Sequence, residues 1–232
     1  MRPTRLLFAV ALLLAASALV PDRSAKANTP GVTNCIVPQL VHLVGMDGNS
    51  SPAPIGQFTV VIRDLANNPV PGAVVRFSLA SVTDVAMCVS QPDPALSVDC
   101  AMDRVSKVTD ANGSATFSLV GRGTGTFSTE ASGCTGQLYW ADVPGVGDML
   151  IGSVIVTTFD LNGSGDVGAS DLSAFLDQFA LGNGSLACDY NDSGFIGAAD
   201  LSMWLTALAS DAHIQSGGLL CQPALPAWSP SR

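Results

Sequence analysis

Basic residues are missing from almost half of this 232-residue chain: from Gly123 to Ser231 there is no Lys or Arg. Glutamate is scarcer still, since Glu130 is the single Glu among 19 acidic residues and the other 18 are Asp. An acidic field repels a phosphate backbone, so nucleic acid is not an expected partner. The Asp-for-Glu skew suits turns and metal loops better than a general acidic surface. Histidine is confined to His42 and His213, and no two cysteines have C-x-x-C spacing, so neither a zinc site nor a thiol redox motif is expected. There is no G-x-S-x-G, no phosphate loop and no His-rich cluster. His42 reads as a strand surface residue and Glu130 as a strand residue without an evident partner. Paired carboxylates occur only in a duplicated segment taken up below. No catalytic residue is assigned, and an enzyme is not expected.

What is present begins with a leader. Arg2 and Arg5 precede an apolar run from Leu6 to Val20, and Ala25-Lys26-Ala27 supplies a small-x-small cleavage pattern. Residues 1–27 read as a secretory signal cut before Asn28, which places the mature chain outside the cell or on its surface. The run is short for a bilayer span and no later segment is long enough, so no membrane span is expected after signal removal. Removing the leader's four basic residues and one acid from the chain's 10 and 19 leaves 6 against 18, a net charge of −12. All six cysteines (Cys35, Cys88, Cys100, Cys134, Cys188, Cys221) lie in the exported part, and an even count there reads as three disulfides. Many pairings are open. The expected ones are Cys88–Cys100 as a local clasp, Cys35–Cys134 across the first domain and, by elimination if each domain keeps its bridges internal, Cys188–Cys221.

Between about residues 34 and 156 the chain alternates with period two. In "QFTVVIRD" Phe58, Val60 and Ile62 share one side; in "AVVRFSLA" Val75, Phe77 and Leu79 do; in "SATFSLVG" Ala115, Phe117 and Leu119 do. One buried and one wetter face marks antiparallel strands. "LANNPVPG" and "TDANG" carry the Asn, Pro and Gly of tight turns. Many short punctuated strands predict a two-sheet sandwich. Val60-x-Ile62-x-Asp64, Val70-Pro71-Gly72 and Thr109-Asp110-x-Asn112-Gly113 resemble the invasin/intimin-type bacterial Ig-like domain. That resemblance covers residues 35–157 and implies a spacer or adhesive role. The Cys-bearing stretch "SVTDVAMCVSQPDPALSVDCAMD" is longer than the simple pattern.

"DLNGSGDVGASD" (residues 160–171) returns 29 positions later as "DYNDSGFIGAAD" (residues 189–200). A hard cation such as Ca²⁺ takes six to eight oxygens, and a twelve-residue loop offers them from positions 1, 3, 5, 7, 9 and 12. The first copy places Asp160, Asn162, Ser164, the Asp166 carbonyl and Asp171 there; the second places Asp189, Asn191, Ser193, the Phe195 carbonyl and Asp200. Position 6, where the chain must turn sharply, is Gly165 and Gly194. Two Ca²⁺ sites are therefore expected. With two carboxylates per loop, dissociation constants of roughly 10⁻⁶–10⁻⁴ M follow. The competing reading is a pair of polar turns in which Asp171 and Asp200 only cap helices.

After each loop the period becomes helical: Leu172, Phe175, Leu176 and Phe179, then Leu201, Trp204, Leu205 and Leu208. Two such short helices are expected to bury their stripes against each other. The expected fold class is thus a mainly β Ig-like sandwich (residues 28–157) followed by a small all-α, EF-hand-related domain (158–215) and a Pro/Ser tail (216–232). The duplicated unit resembles a type I dockerin, the calcium-dependent module that docks bacterial enzymes onto cohesin scaffolds. It implies a secreted calcium-binding protein acting in extracellular assembly, with a cohesin-type or other extracellular domain as partner and a link to polysaccharide breakdown. The docking positions it points to are Ala169, Ser170, Ala198 and Ala199, where family members commonly carry hydroxyl residues; their following basic residues have no counterpart here. The alternatives are an adhesin or spacer in which calcium is only structural, and a subunit of polysaccharide degradation.

Overall fold

The computed structural model describes residues 29–45, 54–127, 131–182, 184–209 and 219–221. The leader, Glu130, His213 and most of the 216–232 tail lie outside them. Among the described residues, ten strands precede the first loop: β1 (Leu40–Leu43), β2 (Gln57–Val61), β3 (Val74–Ser78), β4 (Val85–Met87), β5 (Ser97–Asp99), β6 (Arg104–Val108), β7 (Ser114–Ser118), β8 (Gly121–Gly123), β9 (Thr135–Val143) and β10 (Gly147–Thr158). Six form a curled, half-barrel sheet in the order β1-β10-β9-β3-β6-β5. Within it β1 runs parallel to β10 and the other neighbours are antiparallel. Two further ladders pair β2 with β7 and β4 with β8.

The period-two pattern decides what these strands bury. Phe58, Val60, Ile62, Val75, Phe77, Leu79, Ala115, Phe117 and Leu119 all lie in one core. Phe58 stacks on Phe117 at 5.0 Å and meets Phe77 edge-on, which fastens the β2–β7 ladder over the sheet. Asp fixes the turns: Asp64 accepts from the Ala66 and Asn68 amides at 2.9 and 2.8 Å, and Asp110 from those of Asn112 and Ser114 at 2.8 and 2.9 Å.

The chain does not adopt the expected Ig-like sandwich followed by a separate all-α domain; it is mainly β, with two short helices among the described residues, α1 (Ala169–Leu181) and α2 (Ala198–Ala209). Each buries three side chains: Asp171, Phe175 and Gln178 in α1, and Asp200, Trp204 and Ala207 in α2. That is too little to hold a unit together alone. Their cover comes from the β-body. Val44, just past β1, and Phe159, just past β10, share a cluster with Phe175, Tyr190 and Trp204. In return Ala187, in the 3-10 turn Leu186–Cys188, sits in the core of the β-body. Trp204 Nε1 donates to Phe159 O at 3.2 Å and Tyr190 Oη to Thr158 O at 2.8 Å. An aromatic stack from Phe175 through Tyr190 to Phe159, with centroids 6.1 and 4.6 Å apart, ties α1 to the end of β10.

The helices are also rotated from the expected phase. Leu176, Phe179 and Leu205 are exposed, while Gln178 and Ala207 are buried. Asp171 and Asp200 turn back into their loops, which commits positions i+4 and i+7 from each of them to the interior.

The disulfide expectations need correction as well. The bond present among the described residues joins Cys100 to Cys221 across 121 positions, with Cα atoms 4.6 Å apart. It rules out Cys88–Cys100 and Cys188–Cys221, because a sulfur joins one partner. Cys35–Cys134 is not formed either: Cys35 Sγ donates to the carbonyls of Gly31 and Arg63 at 3.6 and 3.8 Å. The cause is the returning C-terminal segment. Val89 N donates to Leu219 O and Cys221 N to Met87 O, both at 2.7 Å, so this segment lies along β4 and ends beside Cys100.

Candidate metal centres

Both copies of the repeat fold the same way, because each residue type performs the same local task twice. In the first loop Asp160 Oδ1 accepts from Ser164 N at 3.1 Å and its Oδ2 from Gly165 N at 2.8 Å. In the second, Asp189 Oδ1 accepts from Ser193 N at 3.0 Å and Oδ2 from Gly194 N at 2.7 Å. Asn162 Oδ1 accepts from Ser164 N at 2.7 Å, and Asn191 Oδ1 from Ser193 N at 3.0 Å. Ser164 Oγ donates to Asp166 O at 3.2 Å and Ser193 Oγ to Phe195 O at 2.9 Å. Positions 1, 3, 5 and 7 of each loop are thereby linked to one another by short side chain–backbone hydrogen bonds. Gly165 and Gly194 have φ of 100° and 84°, where a side chain is strained.

Position 12 closes each ring. Asp171 accepts from Leu161 N, Asn162 N and Gly168 N at 2.8, 3.0 and 2.9 Å. Asp200 accepts from Tyr190 N, Asn191 N and Gly197 N at 2.8, 3.2 and 2.8 Å. The contacts to Gly168 and Gly197 cap the helices, so the capping role is real; Oδ1 of each carboxylate takes two amides, and Oδ2, which takes one, keeps a lone pair for a cation. Asp160, Asp171, Asp189 and Asp200 are all buried. Burial pushes the Asp160 carboxyl above its ordinary range; the Gly165 amide pulls it back and the like charge of Asp171 raises it again. A cation between the two would relieve that cost.

No group of three or more His, Cys, Asp or Glu side chains is gathered among the described residues. Each loop brings carboxylates in a pair and fills the remaining positions with Asn, Ser and backbone oxygen. This donor set fits a hard, oxygen-seeking ion and not zinc. Ala169, Ser170, Ala198 and Ala199 lie at the helix starts, and Ser170 Oγ accepts from Asn162 Nδ2 at 2.6 Å.

Three contributors escaped the sequence reading because their contacts join distant parts of the chain. Gly123 N donates to Asp160 O at 2.7 Å, and a Cβ on Gly123 would lie 2.3 Å from Leu161 O. Arg122 Nη1 stands 2.9 Å from where a Gly165 side chain would begin, which puts a cation beside the first loop. Gly194, its counterpart in the second loop, has open space there. Tyr190, at position 2 of the second loop, is the aromatic link to β10. The one visible hint was Gly121-Arg122-Gly123, the last basic residue before the long stretch without any.

His42 is a partly buried residue, not a strand surface one. Its ring lies 5.6 Å from Phe159 and 6.3 Å from Tyr190, with Nδ1 2.6 Å from Thr157 Oγ1. Burial lowers its pKa to about 4. Trp140 and Trp204 are both buried. No helix among the described residues is long and apolar enough to cross a membrane. No family model, curated protein or solved structure matches the chain.

Proposed function

We propose that the two loops each bind one Ca²⁺ and that the ordered loop–helix pair docks an extracellular protein partner, in the manner the dockerin resemblance implies. The observation that supports this is the same hydrogen-bonded linkage of positions 1, 3, 5 and 7 in both copies, with a buried position 12 carboxylate behind each. Asp160, Asn162, Ser164, the Asp166 carbonyl and Asp171 would hold one ion; Asp189, Asn191, Ser193, the Phe195 carbonyl and Asp200 the other. The ion supplies positive charge that offsets the pairs of buried carboxylates, so binding and local folding are coupled. The docking face is the exposed side of the helices: Ala169, Ser170, Ala198 and Ala199 at their starts, then Leu176, Phe179 and Leu205.

A second reading has its own support. The hydrogen bonds from Gly123 N to Asp160 O and from Tyr190 Oη to Thr158 O attach the loops firmly to the β-body. In an adhesin or spacer, calcium would only stiffen that junction. Calorimetry of the full chain with Ca²⁺ and circular dichroism with chelator test the metal reading: two sites and loss of helix on chelation are expected, and no heat of binding would defeat it. Pull-down with a purified cohesin domain, with and without Ca²⁺, then separates docking from stiffening.

A further inference from the structure

We propose that Cys134 and Cys188 are joined by a disulfide that clasps the root of β9 to the start of the second loop. One buried residue holds the two cysteine-bearing turns together. The amides of Thr83 and Asp84 donate to Gly133 O, both at 3.0 Å, and fix the 3-10 turn Ala131–Cys134. Asp84 Oδ2 accepts from Ser185 Oγ at 2.6 Å, and Ser185 Oγ accepts from Ala187 N at 3.2 Å, capping the turn Leu186–Cys188. Each turn ends in a cysteine. The turns pack against each other and both cysteines are 0% exposed; neither is disulfide-bonded in this structure, so the proposed bond is one that oxidation adds to this packing.

The position of the pair matches the bond already present. Cys134 belongs to the core of the β-body and Cys188 to the cluster under the helices. Like Cys100–Cys221, the bond ties a strand-bearing part of the chain to a segment that follows β10, and it nests inside the stretch that bond encloses. It also anchors Asp189, the next residue, with or without a metal. Because buried thiols are shielded from oxidants, the bond closes during folding. The oxidant is a disulfide, either a small molecule or an oxidoreductase. The Cys134 thiol gives up its proton, and its thiolate attacks one sulfur of the oxidant and releases the other as a thiol. The Cys188 thiolate then attacks the mixed disulfide at Cys134 and frees the second thiol. Two electrons and two protons pass to the oxidant, whose S–S bond breaks.

Peptide mapping of the full chain tests this. The protein, purified without reductant, is denatured in N-ethylmaleimide and digested. Trypsin is useless beyond Arg122, since no Lys or Arg follows until Arg232. A protease cutting before Asp releases 110–141 with Cys134 and 177–188 with Cys188. The expected product is these two peptides linked, separating on reduction, with the same link retained in Cys35→Ser. Maleimide on Cys134 or Cys188 in the unreduced digest, or either one linked elsewhere, overturns the proposal. The mapping involves no calcium, so it stands or falls independently of the metal reading.

Discussion

Replacing Asp171 by Asn separates the two tasks of the position 12 carboxylate. The carboxylate accepts three backbone amides, from Leu161, Asn162 and Gly168, and is fully buried. In the D171N variant the side-chain amide oxygen keeps the first two, but its Nδ2 then faces the Gly168 N–H, donor against donor. Hydrogen bonds to charged groups contribute about 1.5–3 kcal/mol, so losing one and weakening two costs about 2–3 kcal/mol in chelator. Calcium adds the second effect. At about 1 mM Ca²⁺ and a dissociation constant of about 10⁻⁵ M, each filled site stabilises the fold by about 2.7 kcal/mol. At about 2–4 °C per kcal/mol, the wild-type protein should gain roughly 10–20 °C in Tm between chelator and calcium, and D171N about half of that. Differential scanning calorimetry of wild type, D171N, D200N and the double variant provides the readout. Each single variant should lose one site's share and the double variant should lose all of it. A D171N protein with the full calcium shift would show that this carboxylate only caps its helix, and the metal reading of the loop would fail.

Stability should also respond to pH through His42. Its folded pKa, about 4, lies below the ordinary 6.5, so the native state refuses a proton that the unfolded chain accepts between those values. That contribution is complete above pH 6.5 and is lost as pH falls toward 4, by about 2–3 kcal/mol. Urea titrations in chelator at three pH values should show it in wild type and not in His42→Phe; equal slopes would refute it. Gly123→Ala should push loop 1 away, since the new Cβ meets Leu161 O, and should weaken one of two calcium affinities roughly tenfold or more. Calorimetry showing both affinities unchanged would sink that account. Tyr190→Phe should cost about 1 kcal/mol by chemical denaturation, because Thr158 O loses a buried donor; no change would mean that this bond is not felt.

The loops were legible because their information is local. Asp, Asn, Ser and Gly at fixed offsets specify short side chain–backbone bonds that form wherever the segment is placed. The strands around Phe58, Val75 and Phe117 were legible for a similar reason, since alternation alone decides which side is buried. Contacts across long separations were not. Nothing in the spacing of Cys100 and Cys221 shows that residues 219–221 return to lie along β4. The separate all-α domain failed for the same reason: the apolar pattern of the helices does not reveal that Val44, Phe159 and Tyr190 supply their cover. The helix phase was hidden because an apolar stripe ignores the polar side chains: the Asp171 and Asp200 carboxylates, expected at position 12 of the loops, stay buried there and bring Phe175 and Trp204 inward with them.

The Cys100–Cys221 bond has a mechanical consequence. A pull between the two ends of the chain travels from Cys100 directly to Cys221 through sulfur, so residues 101–220, with both loops and both helices, carry no tension. The repeat can then exchange ions or engage a neighbour while the ends are under load. Reduction would put the shielded segment back in line and add roughly 400 Å of extensible contour, at about 3.4 Å for each of the 121 positions. Single-molecule force spectroscopy with and without reductant would register that difference as a longer final extension.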